Sequence, residues 1–461
     1  LKPEFFSLFD ISIGLGWLIL ILVGLWVIRL RNLDQEHYKY FYPALLFKLG
    51  FGLLFAFTYT TILAEGGDTL AYWEGAVDLN HLFWDNPASY FAEMMQRPSA
   101  DTITVNFNQR TGYPPSWIYK EPESFFISKI ISLFTFFTFN SYIALTLICS
   151  TIAGLCSWKL YELVKDFSFC KHWVLLAATL FIPTVAFWCS GISKDTFILA
   201  AFNLLIFYTF SMLKKGKTLS LSGIIMIFLS AFVLFKIRDF MLIGIAAPLA
   251  FVLFIRIAKK LSNSPVLLWS TRILSTLVLM VVVLAYLQTT NESSNLANVY
   301  LEEVAVIQQD FKQNKLYTGY RYDLGITEYT PWGMIKAAPM SIITAFYRPF
   351  IWEANSAFLF VSGLEGLLLI ALTIGFFFRS GNIWKHFAFI RTQEFLVFAI
   401  LFSLLLGFFV GFTSGLFNVL VRFKAPFMAM IIIFFAARQP KKVENEAING
   451  SDTCLDYPMR R

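Results

Sequence analysis

The sequence predicts an all-α protein, a polytopic transmembrane helical bundle of about eleven spans with interfacial helices on its outer face. Two observations carry this. Of 461 residues, 57% are apolar and only 15% are charged, against about 25% charged in soluble domains. The charges also sit in short clusters between apolar runs of about 17–24 residues, the length that crosses a hydrocarbon core of roughly 30 Å. Backbone in hydrocarbon must satisfy its own hydrogen bonds, and repeated apolar runs of this length do so as helices.

Spans are expected near 11–28, 43–63, 141–162, 173–189, 195–213, 219–235, 240–255, 266–287, 355–378, 393–412 and 425–437, with 219–235 and 240–255 readable as one re-entrant pair. Residues 1–437 then form a single transmembrane domain with large loops at 64–124 and 288–330, followed by a polar tail, 438–461. The first span follows only ten residues without a small-residue cleavage pattern and is read as retained, and the absent initiator Met suggests a trimmed start.

Lys and Arg in short loops set the orientation. Arg29 and Arg31, Lys165 and Lys171, Lys214 with Lys215 and Lys217, Arg256 with Lys259 and Lys260, Arg379 with Lys385 and Arg391, and Arg438 with Lys441 and Lys442 all fall on one side of this span order. That side is the cytoplasm, which places the N-terminus outside and the C-terminus inside. The long loops then face out, with nine acidic against three basic residues in 64–124 and six against three in 288–330. Segments 125–138 and 331–347, interrupted by Lys129 and by Lys336 and Pro339, are expected to lie along the outer surface.

The net charge of +7 belongs to these topological clusters, so nucleic acid is excluded as a partner. Cys149, Cys156, Cys170, Cys189 and Cys454 form no C-x-x-C pair, which argues against a disulfide framework or a zinc site. No spacing of ligands marks a metal site, the sequence names no cofactor, and a divalent ion would need ligands that no motif identifies.

Charges that topology leaves unexplained mark the candidate site. Six basic residues lie at outer helix ends: Lys194, Lys236, Arg238, Arg348, Arg422 and Lys424. Outer loops disfavour such residues, and a bound anion would offset them. Arg suits phosphate because its planar fork donates two bonds at once. The competing reading makes Arg348–Glu353 an interfacial salt bridge, Lys194–Asp195 and Arg238–Asp239 turn pairs, and Arg422 and Lys424 snorkelling side chains. Asp195 is expected to cap the fifth span.

Asp68 is the candidate acid–base group, assisted by Glu65, with Asp101 and Glu121 as weaker alternatives. A carboxylate there can take a proton from an attacking hydroxyl, or it can simply cap a helix over 68–80. Tyr72, one helical turn on, shares its face. Tyr72, Asp195, Asp239, Trp352, Glu353 and Asn418 are candidates for positioning a substrate. The outer tryptophans equally suit an interfacial belt. Within spans, Arg272 can snorkel, and Glu365, in mid-span, needs a partner inside the bundle.

The order of these motifs resembles bacterial polytopic proteins of surface-polysaccharide assembly, the broad group of C-type fold glycosyltransferases and O-antigen-polymerase-like proteins. The matching elements are Gly67-Asp68 with Tyr72, Phe187-Trp188 followed by Ser190-Gly191 and Lys194-Asp195, Arg348-Pro349-Phe350 with Trp352-Glu353, and Asn418 ahead of Arg422. The resemblance implies glycosyl transfer or polymerisation from a polyprenyl-phosphate-linked sugar at the outer face of the bacterial cytoplasmic membrane. Membrane lipid and a polyprenyl-linked glycan would be the partners, with other envelope-assembly proteins beside them. It makes Asp68 the base in a C-type enzyme, and Arg238, Arg348 and Arg422 the outer-loop arginines of a polymerase. The acidic loop here follows the second span rather than the first, and no D-x-D pair is present. Two other classes compete: a transporter or flippase for an anionic lipid-linked substrate, and a non-enzymatic envelope scaffold.

Overall fold

The computed structural model describes residues 7–62, 67–213, 220–261, 320–325, 331–379 and 383–438, with isolated positions between 305 and 313. The predicted span 266–287, most of loop 288–330, Glu65, Arg272, Cys454, Lys214, Lys215, Lys217, Lys441, Lys442 and the end of the tail lie outside the described residues. All secondary structure described is helical apart from one isolated bridge, Arg321 to Leu416.

In chain order the helices are α1 (Leu8–Leu30), α2 (Phe41–Phe57, running on through a π turn at Thr58–Ile62), α3 (Gly67–Asp85), α4 (Pro87–Met95), α5 (Ala100–Asn106), α6 (Ser116–Tyr119) and α7 (Pro122–Thr138). They continue as α8 (Tyr142–Val164), α9 (His172–Leu180), α10 (Pro183–Trp188), α11 (Lys194–Leu213), α12 (Leu221–Ile237) and α13 (Asp239–Leu261). The series closes with α14 (Pro331–Tyr347), α15 (Ala357–Arg379), α16 (Ile383–Ile390), α17 (Glu394–Thr413), α18 (Phe417–Phe423) and α19 (Ala425–Ala436).

Seven of these elements are long and apolar enough to cross a membrane: α1, Glu36–Ile62, α8, α11, α13, α15 and α17. The pair α18–α19 would make an eighth, bent by 65°. Of the eleven predicted spans, one lies outside the described residues, and seven or eight of the rest meet this test. The predicted span 425–437 is one limb of the bent pair, and 219–235 is a shorter apolar helix. The span expected at 173–189 is broken into α9 and α10. Its break follows from Pro183, which lacks an N–H to continue the ladder and forces Ile182 into extended backbone (ψ 116°).

Burial sorts the helices into a centre and a rim. α8 touches α1, α2, α9 and α11, and is buried on nearly every face. Every residue of α19 is buried. α1, by contrast, exposes Leu15, Ile19, Leu20, Val23 and Trp26, an apolar face that only hydrocarbon suits. Of the basic residues that set the predicted orientation, Lys165, Arg256 and Arg438 have partners among the described residues, Arg438 N donating to the Phe169 carbonyl. Lys165 Nζ lies 3.3 Å from His37 Nδ1, and Arg256 pairs with Glu394 at 3.1 Å.

Helix α3 lies over α7. Ser128 Oγ donates to the Tyr72 carbonyl at 2.9 Å, and Asn80 Nδ2 to Thr135 Oγ1 at 3.0 Å. Thr69 and the Tyr142 hydroxyl, 3.1 Å apart, tie this layer to α8. Segment 125–138 is thus not an open surface helix. Its Lys129 is buried under α4, donating to the Gln96 carbonyl at 2.8 Å and facing the fully buried Glu93 at 3.8 Å. The interruption that marks the segment as interfacial in sequence is its anchor. The other predicted surface helix, 331–347, is α14. It packs along α17 and α15 with Trp332, Ile335 and Met340 exposed.

On α3, burial and the charge of Glu74 push the Asp78 carboxyl up to about 7, from the ordinary carboxylate value near 4. The folded protein holds this proton more tightly than the unfolded chain. The contribution to folding is complete below about pH 4 and is lost as pH rises through about 7. Asp78→Asn should therefore match wild type in thermal unfolding near pH 4 and exceed it above pH 7. Identical pH profiles for the two proteins would contradict this account.

Candidate functional site

The turn between α10 and α11 is built before any charge is placed on it. Ser190, Gly191, Ile192 and Ser193 are all buried. Ser150 Oγ donates to the Ser190 carbonyl at 2.6 Å, and Thr196 N donates to Ser193 Oγ at 3.2 Å. Gly191 is required by close approach, since a Cβ there would lie 2.0 Å from the Phe55 ring. The sequence reads Ser190–Asp195 as an outer turn with Asp195 as cap. In the structure Ser193 caps α11, and the Asp195 carboxylate is released for another role.

Asp195 is 3% exposed and bridges two arginines. Arg422 Nε donates to Oδ2 at 2.8 Å, and Arg238 Nη1 lies 3.0 Å from Oδ1. Neither of the turn pairs anticipated from adjacency forms. Arg238 leaves Asp239, whose Oδ1 accepts from Phe240 N at the start of α13, and Lys194 faces Glu121 at 3.8 Å. Each guanidinium also has an aromatic floor. Arg238 lies 3.7 Å above the Phe423 ring, and Arg422 lies 5.4 Å from the Trp188 ring.

Asp68 completes the group. Its side chain is 46% exposed, and Oδ2 lies 3.7 Å from Arg422 Nη2. Arg422 therefore shows one edge to a buried carboxylate and the other to an accessible one. Tyr72, on the same face of α3 as Asp68, is buried, and that burial raises its phenol above the ordinary range. Tyr59, in the π turn ending α2, feels the charges of Arg422, Asp68 and Asp195.

A second cluster adjoins the first through α18, which carries Phe417 and Arg422 and leads into Lys424. Arg348 Nε donates to both oxygens of Glu353, at 3.0 and 3.1 Å, and its guanidinium lies 5.2 Å from the Phe417 ring. The salt-bridge reading of Arg348–Glu353 is the one observed. Lys424, 1% exposed, donates to the Arg348 carbonyl at 3.2 Å rather than snorkelling outward. Among the described residues no carboxylate lies within 4 Å of it, though Glu365 is near enough to lend it opposite charge. Three candidates stay apart. Lys236 is exposed beside Phe232, Asn418 is exposed on α18, and Trp352, 81% exposed, stacks on Phe350.

Protein carboxylates thus offset much of the outer basic charge, where the sequence argument expected a bound anion. The one positive charge in excess on Arg238–Asp195–Arg422 faces Asp68 at 3.7 Å, and Asp195 uses only part of the donor capacity of each guanidinium.

Lys48 is a buried charge that span reading passes over, because one ammonium does not spoil an apolar run. It is 4% exposed and donates to the Val185 carbonyl at 3.3 Å. Glu365 accepts from Thr184 N at 2.9 Å and from the Thr184 hydroxyl. Glu365 thus satisfies the Thr184 N–H in the first turn of α10, and Lys48 adds a second donor to the Val185 carbonyl, which also accepts from Cys189 N. These two side chains, from α2 and α15, hold the helix that presents the turn to Asp195. No three His, Cys, Asp or Glu side chains cluster as metal ligands do among the described residues.

Asp195→Asn should destabilise the protein by about 3–5 kcal/mol, because two arginines lose a buried counter-charge. Asp68→Asn should leave the midpoint of unfolding in detergent almost unchanged. The reverse order of effects would remove Asp195 from its structural role. No protein-family model matches the chain, and comparison with curated proteins and with solved structures finds no match either.

Proposed function

We propose that this protein is a membrane glycosyltransferase or polysaccharide polymerase that uses a polyprenyl-phosphate-linked sugar donor. The observation that carries the reading is Arg422, fixed by buried Asp195 and turned toward half-exposed Asp68. Asp68 accepts the proton of the acceptor hydroxyl as that oxygen bonds to the anomeric carbon. The bond from the anomeric carbon to the phosphate oxygen breaks, and its electron pair leaves with the phosphate. Arg422 and Arg238, held in place before the reaction, stabilise that charge at low reorganisation cost. Lys194, at the same helix end, adds positive charge. On this reading the site faces outward from the bacterial cytoplasmic membrane, with the N-terminus outside and the C-terminus cytoplasmic. A lipid-linked glycan is then the partner, beside other envelope-assembly proteins.

One observation favours a second reading, a transporter or flippase for an anionic lipid. Two broken helices, α10 and the α18–α19 pair, meet beside the site, and Lys48 and Glu365 are charged groups within helices read as spans. Such breaks occur where ions and substrates bind at depth in a membrane. Lys48 and Glu365 are, however, occupied in holding α10.

The decisive measurement is mass spectrometry of polyprenyl-linked glycans in a deletion strain complemented with wild type or Asp68→Asn. A lipid-linked intermediate should accumulate in the deletion and with Asp68→Asn, and clear with wild type. Accumulation at the outer leaflet supports transfer, whereas accumulation confined to the inner leaflet supports the flippase. An unchanged lipid-linked pool and unchanged surface polymer would end both readings.

A further inference from the structure

A slot penetrates the wall of the bundle between α9, α15 and α19. It encloses about 130 Å³ and is lined by Val174, Ala178, Ile182, Leu369, Met428 and Ile432 among other apolar side chains. Glu365 also lines it, its carboxylate already bonded to Thr184. Trp173 and Leu368, at its margin, are 64% and 58% exposed.

We propose that this slot receives the hydrocarbon chain of the lipid-phosphate substrate, an inference that rests on the function proposed above. Three observations lead to it. The exposed residues at the margin are large and apolar and lie on apolar helices, one of them, α15, long enough to span a membrane, so the slot opens on hydrocarbon rather than water. Its volume is below the roughly 300 Å³ at which ligand pockets begin, too small for a saccharide. It is close to that of apolar cavities of about 150 Å³ that stay dry and accept benzene. The slot also continues from the cationic site along one helix. Met428 and Ile432 lie about one and two turns beyond Lys424 on α19, and Arg422 immediately precedes the bend. An amphiphile with its phosphate at the bend therefore finds an apolar wall of the right polarity directly below it. Ala177 and Ala178 leave the space that larger side chains would fill.

The test uses the full-length protein in nanodiscs and a polyprenyl phosphate carrying a diazirine on its chain, with labelled peptides mapped by mass spectrometry. Label should fall on 173–182, 365–372 and 428–432. The double variant Ala177→Phe, Leu368→Trp should lower that labelling roughly tenfold, about 1.4 kcal/mol in affinity. It should leave binding of a short-chain, water-soluble prenyl phosphate unchanged. Retention of the probe that depends on Arg422, with label mapping elsewhere, overturns the slot and leaves the proposed function standing. Equal labelling of the slot by a neutral diacylglycerol diazirine overturns it as a substrate site. Failure of wild type to retain either phosphate removes the functional reading and the slot together. Should the double variant fold poorly, the wild-type map alone decides.

Discussion

The Asp195 carboxylate is the point on which the site depends. It is buried in a structure whose surroundings are largely hydrocarbon-like, where an unpaired charge costs several kcal/mol. It stays there because α12 and α18 each deliver an arginine to it, at 3.0 and 2.8 Å. The dependence is mutual. Neither guanidinium could be buried without the carboxylate, and the ends of α11, α12 and α18 could not otherwise meet so closely. Three segments distant in sequence are thus fixed by one anion, and the accessible Asp68 is positioned relative to that fixed group.

The turn that carries Asp195 rests in turn on a broken helix. A break inside an apolar bundle frees N–H and C=O groups that lipid cannot satisfy. Glu365 meets this at the Thr184 N–H, and Lys48 adds a charged donor to the Val185 carbonyl, which also accepts from Cys189 N. The signs follow the helix dipole, acid toward the N-terminus and base toward the C-terminus. Glu365 and Lys48 are therefore positioning residues in this architecture. Their removal would move the turn and, through it, Asp195 and both arginines. Functional loss on changing either one would not by itself place it on a path through the membrane.

Much of this was legible in the sequence, and the limits are physical. Hydropathy finds α1, α2, α8, α11, α13, α15 and α17 because an apolar run of spanning length has few other outcomes. It misjudges 173–189, where Pro183 divides a run of adequate length into two helices. It also misjudges 125–138, where Lys129 signals a water boundary in one dimension but meets Glu93 and the Gln96 carbonyl in three. Charge at helix ends singles out Asp68, Lys194, Asp195, Arg238, Arg348, Arg422 and Lys424, which the fold brings near one another, and also Lys236, which stays apart. Adjacency then suggested Lys194–Asp195 and Arg238–Asp239, whereas the pairs formed across helices. Consecutive residues on a helix point about 100° apart, so a neighbour in sequence is seldom the partner in space. Lys48 passes unnoticed because one ammonium does not spoil an apolar run and its partner, the Val185 carbonyl, is one that no residue code displays.

These pairings also narrow what the site can do. A cluster of unpaired cations would be a general anion trap, open to any phosphate that reached it. The cluster here is largely self-neutralised, with Lys194 facing Glu121, Arg348 locked on Glu353, and the one positive charge in excess on Arg238–Asp195–Arg422 facing Asp68. On the proposed reading, such a site would gain most from a ligand whose negative charge grows, as that of a leaving phosphate does. Asp68, facing the same guanidinium at 3.7 Å, has a matching requirement. On the same reading, proton uptake by Asp68 would weaken its attraction to Arg422 while charge on the leaving group would replace it, so that the two changes would compensate at a single arginine.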